Sequence, residues 1–388
     1  MRLLHTGDWH VGRTIRGRSR IDEFAAVLGQ VVDVAIDQAV DAVLVAGDIF
    51  DGAMPTPDAE AVTFEALLRL RDARIPVVAI AGNHDSPARL HAWAGVLRAV
   101  GATVVPRLTS DPNDLAVELP ARDGSHAALI ACVPFIPERW FGRGETLFAS
   151  AEGWYQSYAE NMGLVLEGAA TTFRPDRVNV LMAHLYADGS LIGGGEREAT
   201  IGLEYAVSPA RLPGQAAYIA LGHIHRPQPV RGSPAPARYA GSLLQLDFGE
   251  TGHGKSVAVV DALPGKPARV QEIPLTAGRR LMDLRGTLDE VTAGSDQVGD
   301  AWLRVFVRTD GPQAGVADLV REALPNAVAV HLEYERAEDG EVAEPVGSLA
   351  PREQFVRYYR SQHGAEPEDA LLHAFDEVLT AEQAGPGD

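Results

Sequence analysis

The chain is poor in cysteine, in lysine and in long apolar runs. A single cysteine among 388 residues, Cys132, excludes an internal disulfide and predicts a reducing, cytoplasmic setting. No apolar run approaches the ~18 residues that a membrane helix needs. The apolar stretch in MRLLHTGDWH is too short for a signal peptide, so no membrane is expected. Positive charge is also scarce: 34 Lys and Arg stand against 53 Asp and Glu, a net charge of -19. That excludes a chain-wide basic face, so contact with a polyanion must use local patches. Only two of the cations, Lys255 and Lys266, are lysine. What is present is globular: 46% hydrophobic and 22% charged residues, over a length that suggests two or three domains.

Five short apolar runs lie in the first 225 residues: Leu3–Leu4 leading to His5, Ala42–Ala46, Val77–Ala81, Val178–Ala183 and Ala217–Leu221. Apart from Asn179 and Tyr218, each is β-branched or aliphatic on both faces, as in a strand covered on both sides. Helical stretches at Ile21–Asp37 and Asp58–Ala73 alternate with them, the second opened by Thr56 and Pro57. The alternation predicts an α/β domain. Further strands fit Ala127–Val133, Ser256–Asp261 and Arg269–Ile273. After about residue 275 a small α+β module is expected, with strands at Met282–Leu288, Trp302–Val307 and Ala327–Leu332. Its helix has Val316, Leu319, Val320, Ala323 and Leu324 on one face. Acid-rich Glu335–Ala350 reads as a linker, followed by amphipathic helices at Pro351–Gln362 and Pro367–Ala381.

The residues after the five runs carry the chemistry. They are Asp8-Trp9-His10, Gly47-Asp48 continuing to Asp51, Gly82-Asn83-His84-Asp85, His184, and Gly222-His223-Ile224-His225. In a parallel α/β sheet the carboxyl ends of the strands meet at one crevice. Imidazoles, carboxylates and an amide without a thiolate suit a divalent metal such as Mn, Fe or Zn. Seven candidate ligands exceed one ion that keeps open positions; two ions sharing a carboxylate fit the count. Such a pair clamps the attacking and leaving oxygens of an in-line displacement at phosphorus. Taken singly, each motif is commonplace; five strand tips that all end in ligand types are not. His5 lies within the first strand and reads as core.

The ordered motifs DWH (8–10), GD…D (47–51), GNHD (82–85), His184 and GHIH (222–225) resemble the calcineurin-like metallophosphoesterases. LLHTGDWHVGR, VAGDIFD, AGNHDSP, ALGHIHRPQ, YAGSLLQLDFGE and PREQFVRYYR are similar to the SbcD group within that superfamily, over nearly the whole chain. The resemblance implies Asp8, His10 and His225 on one metal, Asn83, His184 and His223 on the other, and Asp48 bridging both. It implies manganese, His84 facing the scissile phosphate, and Asp85 orienting the His84 ring. It implies a nuclease subunit that cuts duplex ends as an exonuclease and single strands or hairpins as an endonuclease. It further implies homodimerisation and an SbcC-like ATPase partner with a coiled coil. Asp58–Ala73 or Ser86–Val100 would supply the dimer interface.

The expected architecture is a metallophosphoesterase β-sandwich flanked by helices over 1–275. A capping domain that positions DNA follows at 276–335, then the linker at 336–350 and partner-binding helices at 351–388. Arg13, Arg16, Arg18 and Arg20, the densest basic run, are candidate DNA contacts beside His10. Phe355, Tyr358, Tyr359, Leu372 and Phe375 are candidate contacts for the ATPase. Gly249–Ser256 matches a nucleotide-binding P-loop, but a β-branched run follows Ser256 where a helix is required. A phosphatase or cyclic-nucleotide phosphodiesterase on the same fold, and a non-catalytic scaffold, are the rival readings.

Overall fold

The structure, a computed structural model, describes residues 1–137, 140–141, 151–196, 206–294, 298–334, 351–363, 367–368, 371–372 and 374–375. The chain divides into two compact units, Met1–Tyr334 and Glu335–Asp388.

Among the described residues, all of the strands lie in the first unit. In chain order these are β1 (Arg2–Thr6), β2 (Ala42–Val45), β3 (Val77–Ile80), β4 (Ala102–Val105), β5 (Ala116–Pro120), β6 (Ala127–Val133), β7 (Val178–His184), β8 (Tyr186–Ala187), β9 (Ala206–Val207), β10 (Tyr218–Gly222), β11 (Gln228–Pro229), β12 (Ala237–Tyr239), β13 (Lys255–Asp261), β14 (Arg269–Leu275), β15 (Leu281–Gly286), β16 (Trp302–Arg308) and β17 (Ala327–Glu333). Its helices are α1 (Ile21–Asp37), α2 (Pro57–Asp72), α3 (Pro87–Ala99), α4 (Ala151–Ala170), α5 (Leu288–Ala293) and α6 (Val316–Ala323).

Two six-stranded sheets form the body, ordered β14-β13-β1-β2-β3-β4 and β11-β12-β10-β7-β6-β5. Leu3, Leu44, Val78 and Ile80 from one sheet pack on Ile130, Val180, Met182 and Tyr218 from the other. The alternate residues, Leu4, Val43, Val45 and Val77, face outward onto α1 and α2 through Phe24, Val31 and Leu67. On the far side, Ala131, Leu181 and Ile219 meet Met162 and Leu166 of α4. Strands buried on both faces have no polar side to show, so they read as nearly continuous apolar runs, with Asn179 in β7 a buried exception. The helix starts are also encoded locally. Thr56 Oγ1 accepts from Ala59 N, and Ser86 Oγ accepts from Arg89 N, each ahead of a proline in the first turn.

Residues 281–333 build a parallel three-stranded sheet, β15-β16-β17, with its own core of Val291, Leu303, Val305, Val320 and Leu324. This sheet lies within the first unit and is tied to α1 through Glu23. The Glu23 carboxylate accepts from Arg20 (3.1 and 2.9 Å), from Trp302 Nε1 (2.8 Å) and from Arg279 N (2.8 Å). Burial alone would raise this carboxyl; the Arg20 guanidinium, with Trp302 and Arg279, holds it below the usual range near 4.5. A depressed carboxyl stabilises the fold above its unfolded value, and that contribution is lost as pH falls through the folded value. Glu23→Gln is therefore expected to cost about 2 kcal/mol at pH 7. Urea unfolding should show the gap from the parent narrowing below about pH 4.5.

In the second unit the structure describes one full helix, α7 (Pro351–His363), where Pro351–Gln362 is expected. Phe355 stacks on Phe375 at 4.3 Å between ring centroids and 11° between planes. The linker expected at 336–350 and most of the helix expected at Pro367–Ala381 lie outside the described residues.

Candidate metal centre

β1, β2 and β3 run parallel in one sheet, β7 and β10 in the other, and all five end at the same edge. The segments beyond them interlock. Asp8 N donates to Gly47 O (2.9 Å), His10 N to Asp48 O (3.0 Å) and Val11 N to Ile49 O (3.1 Å). Four of the expected ligands hold left-handed backbone: Asp8 (φ 48°), His10 (48°), Asp48 (49°) and His223 (108°). Non-glycine residues adopt such angles at a cost and keep them where surrounding structure enforces them, commonly at functional sites. Glycine is needed where the tips close on each other. A methyl on Gly82 would strike the Asp48 carboxylate, and one on Gly47 would strike the His184 ring.

The tips bring Asp8, His10, Asp48, Asn83, His84, His184, His223 and His225 into one cluster. His225 Nε2 lies 3.1 Å from His10 Nε2, and His10 Nε2 lies 3.4 Å from Asp48 Oδ2. His184 Nε2 lies 2.9 Å from Asn83 Oδ1, 3.3 Å from His223 Nδ1 and 3.6 Å from Asp48 Oδ2. His223 Nδ1 is also 2.9 Å from Asn83 Oδ1. Asp8 accepts from His223 N at 2.9 and 3.1 Å and approaches His184 Nδ1 at 3.9 Å. Two groups with metal-ligand spacing emerge, His10–Asp48–His84 and Asp8–Asp48–His184, and Asp48 belongs to both.

This donor set fits divalent cations. His184 Nδ1 donates to Ala46 O (2.8 Å), and His225 Nδ1 donates to Glu250 Oε1 (2.9 Å), so each ring turns its Nε2 lone pair into the cluster. Lone pairs facing one another at about 3 Å repel unless positive charge lies among them. Burial lowers His10 to about 3, and burial with the nearby His223 lowers His184 well below 6.5, so both rings are neutral and able to coordinate. Burial pushes Asp8 up to about 7, against the opposing pull of His225, the His223 N–H and Lys255. His225 departs from this pattern. Burial would lower it, but Glu250, Glu196 and Asp8 raise it.

Two expectations are corrected. Asp85 does not orient the His84 ring: its carboxylate accepts from the backbone N–H of Ile49 (3.2 Å), Phe50 (3.1 Å) and Gly82 (2.9 Å), clamping two strand tips together. The His84 ring is held by Asp51, whose carbonyl accepts from Nδ1 at 2.8 Å. Arg20 is buried at 2% exposure and commits its guanidinium to Glu23 and Gln245 O, so it is unavailable to DNA. Of its run, Arg16 and Arg18 are exposed, while Arg13 pairs with Asp51 at 3.2 Å.

Sequence reasoning missed the layer behind the ligands. Glu250 is buried and bonds His225, Lys255 Nζ (2.6 Å) and Leu246 N (3.1 Å). Lys255 also donates to His225 O (3.0 Å) and Ser242 Oγ (2.7 Å). Burial would raise Glu250, yet Lys255 and His225 hold it at about 2, so the carboxylate stays ionised against the His225 ring. Both residues lie in the stretch that imitates a P-loop, and a strand does start at Lys255. Glu196 accepts from Gly193 N, Gly194 N and His225 N, bracing the backbone of the same histidine from a glycine-rich loop.

Residues 1–227 match the calcineurin-like phosphoesterase family, and residues 277–363 match the type 5 capsule protein repressor C-terminal domain. The chain is 32% identical over 388 residues to the SbcD subunit of the SbcCD nuclease from Bacillus subtilis (strain 168), covering 98% of each. It is 32% identical over 355 residues to the Rhodobacter capsulatus SbcD subunit, covering 85% of this chain and 86% of that one. Against the Escherichia coli (strain K12) SbcD subunit it is 31% identical over 328 residues, covering 80% and 78%.

Proposed function

This chain belongs to the calcineurin-like phosphoesterases and, within them, to the SbcD nuclease subunits, and from that membership we propose how its strand-tip cluster works. It is a metal-dependent nuclease, a phosphodiester hydrolase of an SbcCD-type complex, and the phosphatase and scaffold readings are not favoured. The observation that carries the mechanism is that Asp48 is common to both groups with ligand spacing, although those groups set His84 beside His10 and Asp8 beside His184; the division between ions follows the family resemblance instead. Asp8, His10 and His225 are assigned to one ion, Asn83, His184 and His223 to the other, and Asp48 to both. When bound, the cations lower the pKa of a water and stabilise charge on phosphorus. Manganese is our assignment, from a nitrogen-and-oxygen donor set that iron and zinc also suit.

The protein's own groups do the rest. Asp51 O accepts from Nδ1 of His84, and we assign Nε2 of the same ring to the phosphate or its leaving oxygen. Glu250 holds His225 in the tautomer that coordinates. Exposed Arg16 and Arg18 grip the DNA backbone, with Arg13 held back by Asp51. Residues 281–333 position the duplex. Cutting is exonucleolytic on duplex ends and endonucleolytic on single strands and hairpins, by a homodimer. The ATPase partner docks on the second unit, where Tyr358 is 63% exposed beside Phe355 and Tyr359. Leu372 and Phe375 support that face, Phe375 by stacking under Phe355. No helix among the described residues is long and apolar enough to cross a membrane.

Digestion of an end-labelled duplex and a hairpin with Mn²⁺ tests this reading. His84→Gln is expected to keep both ions by calorimetry and to lose about 10²–10⁴ in rate. A variant that cuts as fast as the parent removes His84 from the reaction. A parent that hydrolyses small phosphate esters but no DNA restores the phosphatase reading.

A further inference from the structure

Beside the metal centre lies an aromatic cleft that none of the assigned roles uses. Just past the end of β6, Phe135 N donates to Ala81 O at 2.9 Å. Ala81 immediately precedes the Gly82-Asn83-His84 tip, so the Phe135 ring stands against the ligand cluster. Its centroid is 6.2 Å from that of His223, with 23° between planes, and 6.1 Å from that of His184, edge-on at 86°. The cleft measures about 620 Å³, and Pro106, Arg107, Phe135, Ile136, Pro137 and Trp140 line it. Its floor is anchored: Ile136 is buried and its carbonyl accepts from Tyr158 Oη at 3.0 Å.

Two features of the lining point to an occupant. Trp140 is 55% exposed and has no ring contact among the described residues. Arg107 is exposed, and its guanidinium has no hydrogen bond or ion pair among the described residues. Large apolar rings are normally covered, and an exposed guanidinium with no carboxylate on it remains available to a phosphate. A half-exposed indole beside a guanidinium with no ion pair among the described residues is the pairing that single-stranded nucleic acid uses: a base stacks on the ring and a phosphate meets the cation. The proline walls are flat, rigid and without N–H donors, which suits base stacking without sequence readout.

We propose that this cleft holds an unpaired nucleobase of the strand being cut, stacked on Trp140 beside Phe135, with Arg107 on an adjoining phosphate. The proposal rests on the nuclease reading. It makes local strand separation part of substrate recognition. A hairpin loop or single strand presents such a base already, whereas a duplex end must unstack one at a cost of a few kcal/mol.

The test uses the full chain without divalent metal, so that no strand is cut. Fluorescein-labelled oligothymidylate and an abasic oligonucleotide of equal length are titrated and followed by anisotropy. The parent should bind the base-bearing strand about tenfold more tightly. Trp140→Ala should abolish that preference and Trp140→Phe should retain it, with thermal unfolding unchanged because the ring is exposed. Arg107→Ala should weaken both strands alike. Equal binding of the two strands by the parent, or a preference that survives Trp140→Ala, overturns the proposal. Failure of the nuclease reading is seen separately, as a parent that digests no DNA with any divalent metal.

Discussion

Asp48→Ala abolishes DNA cleavage, with a loss of about 10⁴-fold or more, and calorimetry finds at most weak binding of a single Mn²⁺ per chain. The size follows from what the carboxylate does. Paired cations supply several kcal/mol of transition-state charge stabilisation, and each 1.36 kcal/mol is tenfold in rate. Asp48 alone is common to both ligand groups, so its removal damages both sites at once. Its Oδ1 also accepts from His84 N at 2.7 Å, so the proton-handling residue loses its anchor in the same substitution. Asp48→Asn separates these contributions: the amide oxygen still accepts from His84 N, while the charge is gone. Asn should therefore fold like the parent and still cleave at least about 10³-fold more slowly. An Asp48→Ala protein that retains two ions and cuts DNA would remove the bridging carboxylate, and with it the two-metal assignment.

The strand tips were legible because the apolar runs stop abruptly where the ligand types begin. β2 and β7 are buried on both faces, so their apolar runs have sharp ends, and polar residues just past those ends can lie only at the sheet edge. Roles that depend on where a side chain turns after leaving the strand were not legible. Asp85 is adjacent to His84 in sequence, yet its carboxylate turns back to three backbone N–H groups, and a carbonyl from another loop holds the ring. Arg20 sits in a basic run, but it precedes a helix whose first turn carries Glu23, and burial of that pair made it structural. Glu250 and Lys255 were hidden by a different route. Their stretch carries a motif that points to phosphate binding, and the chain instead makes a turn at Phe248–Glu250 and a strand from Lys255 that bring the two side chains together beside His225. No local pattern announces a partner 25 residues away.

Gly222→Ala is expected to destabilise the fold by about 3 kcal/mol and to weaken metal binding by more than tenfold. Gly222 closes β10 at the place where the two sheets touch. An added methyl there would overlap the carbonyl oxygen of Ala46 and lie 3.0 Å from His184 Nδ1. The first obstacle is backbone, so no rotamer change relieves it; the β2 tip and the β10 tip must separate. That same Ala46 carbonyl accepts from His184 Nδ1 and so fixes which nitrogen of His184 faces the cluster. One methyl thus strains the contact between the sheets and releases a ligand, so stability and metal affinity should fall together. The backbone angle at Gly222 is not left-handed, so the whole effect is contact. Gly52→Ala is the control for stability, since a methyl there meets nothing within 4 Å and should shift the unfolding free energy by under about 0.5 kcal/mol. Urea unfolding and Mn²⁺ calorimetry on both variants decide it. A Gly222→Ala protein as stable as Gly52→Ala, with undiminished affinity, would mean that the two sheet edges do not meet at Ala46 and that the ligands are not held by that contact.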